Sequence, residues 1–303
     1  MTRKPLVIAA LAASALLLGG CAGTAAPTGT TASGRIAVVA STDVYGQIAT
    51  EVGGDAVQVT SIIHNAAQDP HSFEPSAGDQ LTVKQAALLI ENGGGYDPFL
   101  DSLASASGST APKITAAKLS SHWPADGDLE GFNEHVFYDL PTMAKVADAI
   151  AAKLGSLDPS HASTFTANAK AFDEGLSTLE ASLTALASKH SDGTVFVTEP
   201  LPLYLTAAAG LRNVTPEAFS HAVEEGQDVP PATLLESLNL IAAHRASVVI
   251  TNAQAAGPET TQVEQKAEAS GTPLLRFSEL LPDGKTYLGW MQDNVAQLAK
   301  ALG

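Results

Sequence analysis

Four side chains in this sequence are of a type, and stand at places, that could hold a cation: the imidazoles of His71 and His135 and the carboxylates of Glu199 and Glu279. His71 lies in Gln-Asp-Pro-His-Ser-Phe-Glu-Pro-Ser, residues 68–76, where Asp69 and Pro70 favour an extended or turned backbone just before it and Pro75 closes the segment as a helix begins. That places an imidazole on a rigid loop after an apolar run. His135 sits in Phe-Asn-Glu-His-Val-Phe-Tyr-Asp, residues 132–139, while Glu199 follows Thr-Val-Phe-Val-Thr and Glu279 follows Leu-Leu-Arg-Phe closely. Singly, each has a plain structural alternative: a turn residue for His71, a helix cap for His135, an exposed loop acid for Glu199, a first-turn acid near a helix dipole for Glu279. Together, two imidazoles and two carboxylates make a divalent-cation site of borderline-to-hard character.

Such residues need elements to carry them. Strand-like runs at Ile36 to Ala40, Val57 to Ile62, Ala87 to Glu91 and Lys113 to Ala116 alternate with helical patterns, and so do Thr194 to Thr198, Leu211 to Thr215, Val248 to Thr251 and Leu274 to Phe277. The sequence therefore predicts an α/β protein of two lobes, each with a mainly parallel four-stranded sheet flanked by helices. Between them the pattern turns helical from Pro141, breaks at Asp158-Pro159-Ser160, and resumes as one long helix from Ala162 to Ser188. Phe165, Ala169, Phe172, Leu176, Leu179, Leu183 and Leu186 step by three or four and share one face of it. We place an N-terminal lobe at 35–140, linking helices at 141–191 and a C-terminal lobe at 192–303. In open α/β sheets ligands gather beyond the carboxyl ends of the strands, where all four candidates fall, two from each lobe.

Composition narrows the partners. A chain of 303 residues with 45% hydrophobic residues can build two cores. Its 32 acidic against 16 basic residues give a net charge of -16, which repels nucleic acid and anionic lipid and attracts cations. At the N-terminus, Arg3 and Lys4 precede an apolar run from Leu6 to Leu18, and Leu18-Gly19-Gly20-Cys21 resembles a bacterial lipobox. The run is too short to span a bilayer core of about 30 Å as a helix. Residues 1–21 read as a lipoprotein signal peptide with Cys21 as the lipidation site, and residues 22–34, rich in Thr, Ala, Gly and Ser, read as a flexible tether. Cys21 is the only cysteine, so neither an intramolecular disulfide nor a thiolate cluster is available.

With these residues in view, the chain resembles the zinc/manganese class of solute-binding lipoproteins that deliver metal to ABC transporters, a family that also includes adhesins. Asp-Pro-His-Ser-Phe-Glu-Pro-Ser is similar to its first ligand motif, and Glu134 to Asp139 is similar to its Pro-His-Val-Trp-Leu-Asp. Thr198-Glu199 with Tyr204 resembles the third motif and Phe277-Ser-Glu-Leu the fourth, while Tyr287, Met291 and Asn294 match the final helix. The resemblance implies His71, His135, Glu199 and Glu279 as ligands of one transported divalent ion, a membrane permease as partner, a monomer anchored outside the cytoplasm, and no enzymatic activity. Within the family, Glu rather than His at the third position accompanies manganese or ferrous iron, so manganese is favoured here, with zinc or ferrous iron as the other candidates.

The chain departs from the pattern in places. Glu134 stands for a proline, Phe137 for a tryptophan and Glu279 for an aspartate, and no His-rich tract separates the first two ligands. His122, among Asp126, Asp128 and Glu130, reads as a solvated loop residue; His64 reads as packed near a strand end, and His161 and His190 as exposed flanks of the long helix. His221 and His244 lack a ligand-like context. Rival functions are a surface adhesin or metal-buffering lipoprotein and, further off, a secreted metallohydrolase, which would need an open coordination position and a base such as Glu134.

Overall fold

The computed structural model describes residues 29, 31, 34–65, 68–255 and 257–303. The signal peptide with Cys21, and most of the tether, lie outside the described residues. The first lobe runs β1 (Ile36–Thr42), α1 (Asp43–Gly53), β2 (Val57–Ile63), α2 (Ala77–Lys84), β3 (Leu88–Glu91), α3 (Pro98–Ser107) and β4 (Lys113–Thr115). Two helices follow, α4 (Leu140–Leu157) and α5 (Ala162–Lys189). The second lobe runs β5 (Thr194–Val197), α6 (Leu203–Ala208), β6 (Arg212–Asn213), α7 (Glu217–Glu224), α8 (Pro231–Ala242), β7 (Val248–Asn252), α9 (Pro258–Ser270), β8 (Leu274–Phe277) and α10 (Tyr287–Leu302).

Both sheets have one topology, β2-β1-β3-β4 and β6-β5-β7-β8, and every pairing in them is parallel. The inner strands are apolar on both faces, as helix-covered parallel strands must be: β3 and β5 are buried throughout. The edge strand β6 is shorter than its hydrophobic run suggests. There the Thr215 hydroxyl replaces a strand partner, accepting from the Val197 amide at 2.8 Å, so the chain leaves the ladder early. Conversely β7 runs one residue past Thr251, which places Asn252 on the strand itself.

The seven apolar positions read along α5 are its seven buried residues. They do not serve one lobe. Phe172, Leu176 and Leu183 belong to a single hydrophobic cluster that contains Val38 and Ala40 of the first sheet, Val195 and Ile250 of the second, Met143 and Val146 of α4, and Trp290 and Leu298 of α10. Two smaller clusters fill the outer faces, one around Val39, Leu89 and Phe99 and one around Phe196, Phe219 and Val249. Close approach is built into the seam: at Gly175, in mid-helix, an added Cβ would lie 2.6 Å from Leu288 Cδ1. Polar ties cross it as well. Tyr138 Oη donates to the Ser278 carbonyl and Tyr287 Oη to the Phe137 carbonyl, both at 2.8 Å, and the Leu281 amide donates to Asp43 Oδ1 at 3.2 Å.

Two histidines differ from the sequence reading. His64 is exposed rather than packed, because β2 is an edge strand whose end opens into a loop; its Nδ1 lies 3.2 Å from the Ser61 carbonyl oxygen. His190 is half-buried where the chain turns from α5 into β5, and its Nε2 is buried without a hydrogen-bond partner. His122, His161, His221 and His244 are exposed. Among the described residues no helix is long and apolar enough to cross a membrane.

Since the lobes share one core, they should melt together. Replacing Phe172, which is buried and packs its ring 5.6 Å from that of Tyr287, by Ala is expected to cost about 3–5 kcal/mol and to lower a single transition. Scanning calorimetry measures this; two resolved transitions would show that the lobes unfold as separate units.

Candidate metal site

All the site groups lie beyond carboxyl ends of strands, as the open-sheet rule requires. His71 comes from the loop after β2, His135 from the loop after β4, Glu199 from the residue after Thr198 at the end of β5, and Glu279 from the loop after β8. They line one cleft of about 490 Å³ between the lobes, with Asp69, Glu134, Glu224, Glu225, Asn252 and Gln254 around them. Among the described residues no lysine or arginine lines it.

Three of the four sequence candidates converge tightly. His71, His135 and Glu279 each offer a ligand atom, and those atoms lie within 4.8 Å of one another. Glu199 stands outside that tight trio but lines the same cleft, 5% exposed, and its Oε1 is buried with no hydrogen-bond partner. An orphaned, desolvated carboxylate oxygen is costly unless protonated or met by a cation. A second trio, Glu134, His135 and Glu224, shares His135 with the first.

The imidazole of His135 has a fixed orientation. Asn133 Oδ1 accepts from its Nδ1 at 2.9 Å and from its backbone amide at 3.1 Å, while Asn133 Nδ2 donates to the Pro200 carbonyl at 3.0 Å. An amide oxygen only accepts, so Nδ1 carries the proton and Nε2 keeps its lone pair for a ligand. Tyr204 Oη donates to the Asn133 carbonyl at 2.7 Å, closing the link to the loop that bears Glu199. Glu224 Oε1 lies 3.9 Å from the same Nδ1. His71 is the exposed member; its backbone amide donates to Asp69 Oδ1 at 2.9 Å, a turn that the Asp-Pro sequence sets.

The carboxylates are held by a row of neutral donors. Asn252 Nδ2 donates to Glu199 Oε2 and to Glu279 Oε1, each at 2.7 Å, and Tyr96 Oη donates to Glu279 Oε2 at 3.2 Å. Gln254 Oε1 accepts from the backbone amides of Glu279 and Leu280 at 2.7 and 3.0 Å, anchoring that loop. Tyr96 reaches the site because Gly93, Gly94 and Gly95 all have positive φ, 73°, 71° and 105°, and turn the chain sharply after β3. Its ring stands edge-on to His71 at 5.0 Å and to His135 at 5.7 Å. Asn252, Gln254, Tyr96, Asn133 and Glu224 were not identified by sequence reasoning. Only Asn133 had a local signal, two residues before His135; the others reach the cleft through strand order and turns.

Burial governs protonation here. It pushes the Glu199 carboxyl up to about 7, opposed by the Asn252 hydrogen bond and reinforced by the Glu279 and Asp69 charges. Burial, with Glu134 and other acids nearby, lifts Glu224 to about 8. Glu279 is also raised by burial, with the His71 charge opposing. His135 moves the other way, down to about 3, because burial and His71 disfavour its cation. Burial and the Glu279 charge hold the Tyr96 phenol well above its usual range, which keeps it a donor.

Known proteins share this architecture. Residues 38–301 match the model of the family described as zinc-uptake complex component A, periplasmic. The manganese-binding lipoprotein MntA of Bacillus subtilis is 29% identical over 180 residues, 57% of this chain and 56% of its own length. The chain thus aligns with little more than half of that curated relative. The iron ABC transporter substrate-binding lipoprotein MtsA of Streptococcus pyogenes is 24% identical over 330 aligned positions, covering 100% of this chain and 99% of the relative. Among solved structures, the laminin-binding protein Lmb of Streptococcus agalactiae, described as bifunctional with adhesin and metal transporting activity, superposes with a TM-score of 0.72 at 25% identity, covering 88% of this chain and 98% of Lmb.

The protonation pattern gives a signed expectation for cation binding. His135 is already neutral above about pH 4 and imposes little proton competition, so competition falls on the raised carboxyls. Below the Glu199 value of about 7 an ion must displace a proton, and affinity is expected to fall by about tenfold per pH unit or more. The cation-free protein behaves oppositely. Stability that the neutral Glu199 carboxyl preserves below its ordinary 4.5 is lost as pH rises through about 7. Calorimetric binding curves and metal-free melting points between about pH 5 and 8 test both signs; pH-independent affinity across that range would contradict the first.

Proposed function

The chain belongs to the zinc-uptake complex component A family, and from that membership we propose that it is an extracytoplasmic lipoprotein that binds one divalent transition-metal ion in the interlobe cleft and delivers it to the permease of an ABC importer. The observation that carries this reading is the convergence of His71, His135 and Glu279 ligand atoms within 4.8 Å beside the buried, unpartnered Glu199 oxygen. His71, His135, Glu199 and Glu279 are the ligands in this reading. The ion is cargo, held by side chains from both lobes, and the receptor needs no chemistry on it beyond capture and release.

Manganese is the preferred cargo in this reading, with ferrous iron or zinc as competitors. Two carboxylates are harder donors than a third and fourth imidazole, which raises manganese relative to zinc; zinc still binds in vitro because it stands higher in the divalent affinity order. The anchor is lipid on Cys21, and the molecule acts as a monomer. We read it as a receptor and not an enzyme: steady turnover of an ester or peptide by metal-loaded protein would favour the hydrolase instead. Adhesion is the second reading, supported by the description of Lmb, and it is compatible with metal delivery.

His71→Ala and His135→Ala are each expected to remove most of the affinity for manganese and zinc in isothermal calorimetry; wild-type-like binding by both variants would sink the ligand assignment. In the parent, metal at 100-fold over the dissociation constant should stabilise the fold by about 2.7 kcal/mol, read as a rise in melting temperature. Glu199→His should raise the zinc-to-manganese affinity ratio, mainly by weakening manganese. Competition binding at one pH checks this, and an unchanged ratio would remove Glu199 as a determinant of preference.

A further inference from the structure

Asn252 occupies the middle of the acidic floor of the cleft. The second sheet orders its strands β5, β7, β8, with Val197 beside Ile250 and Asn252 beside Phe277, so the ends of three adjacent strands present Glu199, Asn252 and Glu279 side by side. Asn252 is 5% exposed. Its Oδ1 accepts from the Gln254 backbone amide at 2.9 Å, and this decides which way the amide points. Reversing it would aim an oxygen at two carboxylates and leave a backbone donor facing an NH₂ group. The nitrogen therefore faces the acids, and its two protons go one to Glu199 Oε2 and one to Glu279 Oε1.

The oxygens left over are one from each acid. Glu199 keeps Oε1, which is buried and has no partner. Glu279 keeps Oε2, which Asn252 does not hold and which accepts only the 3.2 Å contact from Tyr96, longer than the 2.7 Å bonds from Asn252. With His135 Nε2 and one nitrogen of His71, that makes four donor atoms.

We propose that Asn252 is a specificity-determining positioning residue: by holding one oxygen of Glu199 and one of Glu279 with a single amide nitrogen, it fixes the orientation of both carboxylates and favours one-oxygen coordination by each, and so a set of four donors. The proposal rests on the reading of His71, His135, Glu199 and Glu279 as ligands. Four nitrogen and oxygen donors suit the tetrahedral preference of zinc, whereas manganese favours higher, oxygen-rich coordination. A carboxylate that turns to bind manganese through both oxygens must swing away from the orientation that its bond to Asn252 favours, weakening that bond. Asn252 thus works against the manganese preference that the two acids supply, and its removal shifts the balance towards manganese.

The test compares the parent with Asn252→Ala and with Asn252→Ser, the latter retaining a small polar group should the first variant fold poorly. Zinc and manganese affinities are measured by competition at one pH, and coordination is read from the visible absorption of the cobalt(II) complex. Expected is a fall in the zinc-to-manganese affinity ratio by about fivefold or more, together with the weaker cobalt bands of a five- or six-coordinate ion. An unchanged ratio and parent-like cobalt bands overturn the proposal, even when both affinities drop equally, since equal losses mark a merely structural role. His135→Ala is run alongside. If it still binds both metals as the parent does, the ligand assignment fails, an outcome separate from the Asn252 ratio.

Discussion

The cost of burying carboxylates without a permanent cation dominates this molecule. Glu199 and Glu279 are 5% and 8% exposed, and Glu134 and Glu224 stand beside them in a cleft that no lysine or arginine lines among the described residues. In low dielectric such groups must bind protons or a cation. The shifts in the cleft follow: Glu199, Glu224 and Glu279 rise, the buried imidazole of His135 falls, and each change makes the cation-free site less charged. An arriving divalent ion reverses the balance by restoring the charge that desolvation had suppressed. Affinity and proton competition are therefore two consequences of one burial, and deeper burial strengthens both.

That burial depends on how the lobes are joined. A site between two freely hinged domains could open widely and hydrate its acids. Here α5 lends its apolar face to a core continuous across both sheets, and Tyr138, Tyr287 and Asp43 add polar ties over the seam. Wide opening would expose that core, at roughly 25 cal/mol for each Å² of apolar surface. The cleft walls are consequently held near one geometry, and neutral bridges such as Asn252 and Asn133 act on groups that are already almost in place.

Much of this was legible in the sequence because it is written locally. The three- and four-residue steps along α5 mark its buried face, and eight short apolar runs mark eight strands, since each signal is the period of one element. His71 announces itself through turn-forming neighbours that hold a ring on a loop, and His135 through the likeness of residues 134–139 to a family motif. What escaped is non-local. Asn252 meets Glu199 only because β7 lies between β5 and β8, and Tyr96 reaches Glu279 only through three consecutive glycines with positive φ. Glu224 gave no signal, being one acid in an acidic chain until α7 places it 3.9 Å from His135. The errors at His64 and His190 have the same origin, because whether a strand end or a helix end is covered depends on elements distant in sequence.

The four candidate ligands are unequal in access, and in the proposed reading this constrains how an ion enters and leaves. His135, Glu199 and Glu279 are buried and braced by Asn133, Asn252, Tyr96 and Gln254, whereas His71 is exposed on a loop held locally by Asp69. With the walls fixed by a shared core, displacement of the exposed His71 side chain changes the coordination without breaking the bonds that Asn252, Tyr96 and Gln254 make to the Glu199 and Glu279 loops. An ion approaching from solvent meets His71 at the mouth of the cleft and the desolvated carboxylates behind it. Release takes the reverse course: moving His71 outward admits water and protons to Glu279, whose raised protonation tendency His71 itself opposes. In the proposed reading, loss of the exposed imidazole and protonation of the buried acid thus act in one direction, and the ion leaves without the shared core being parted.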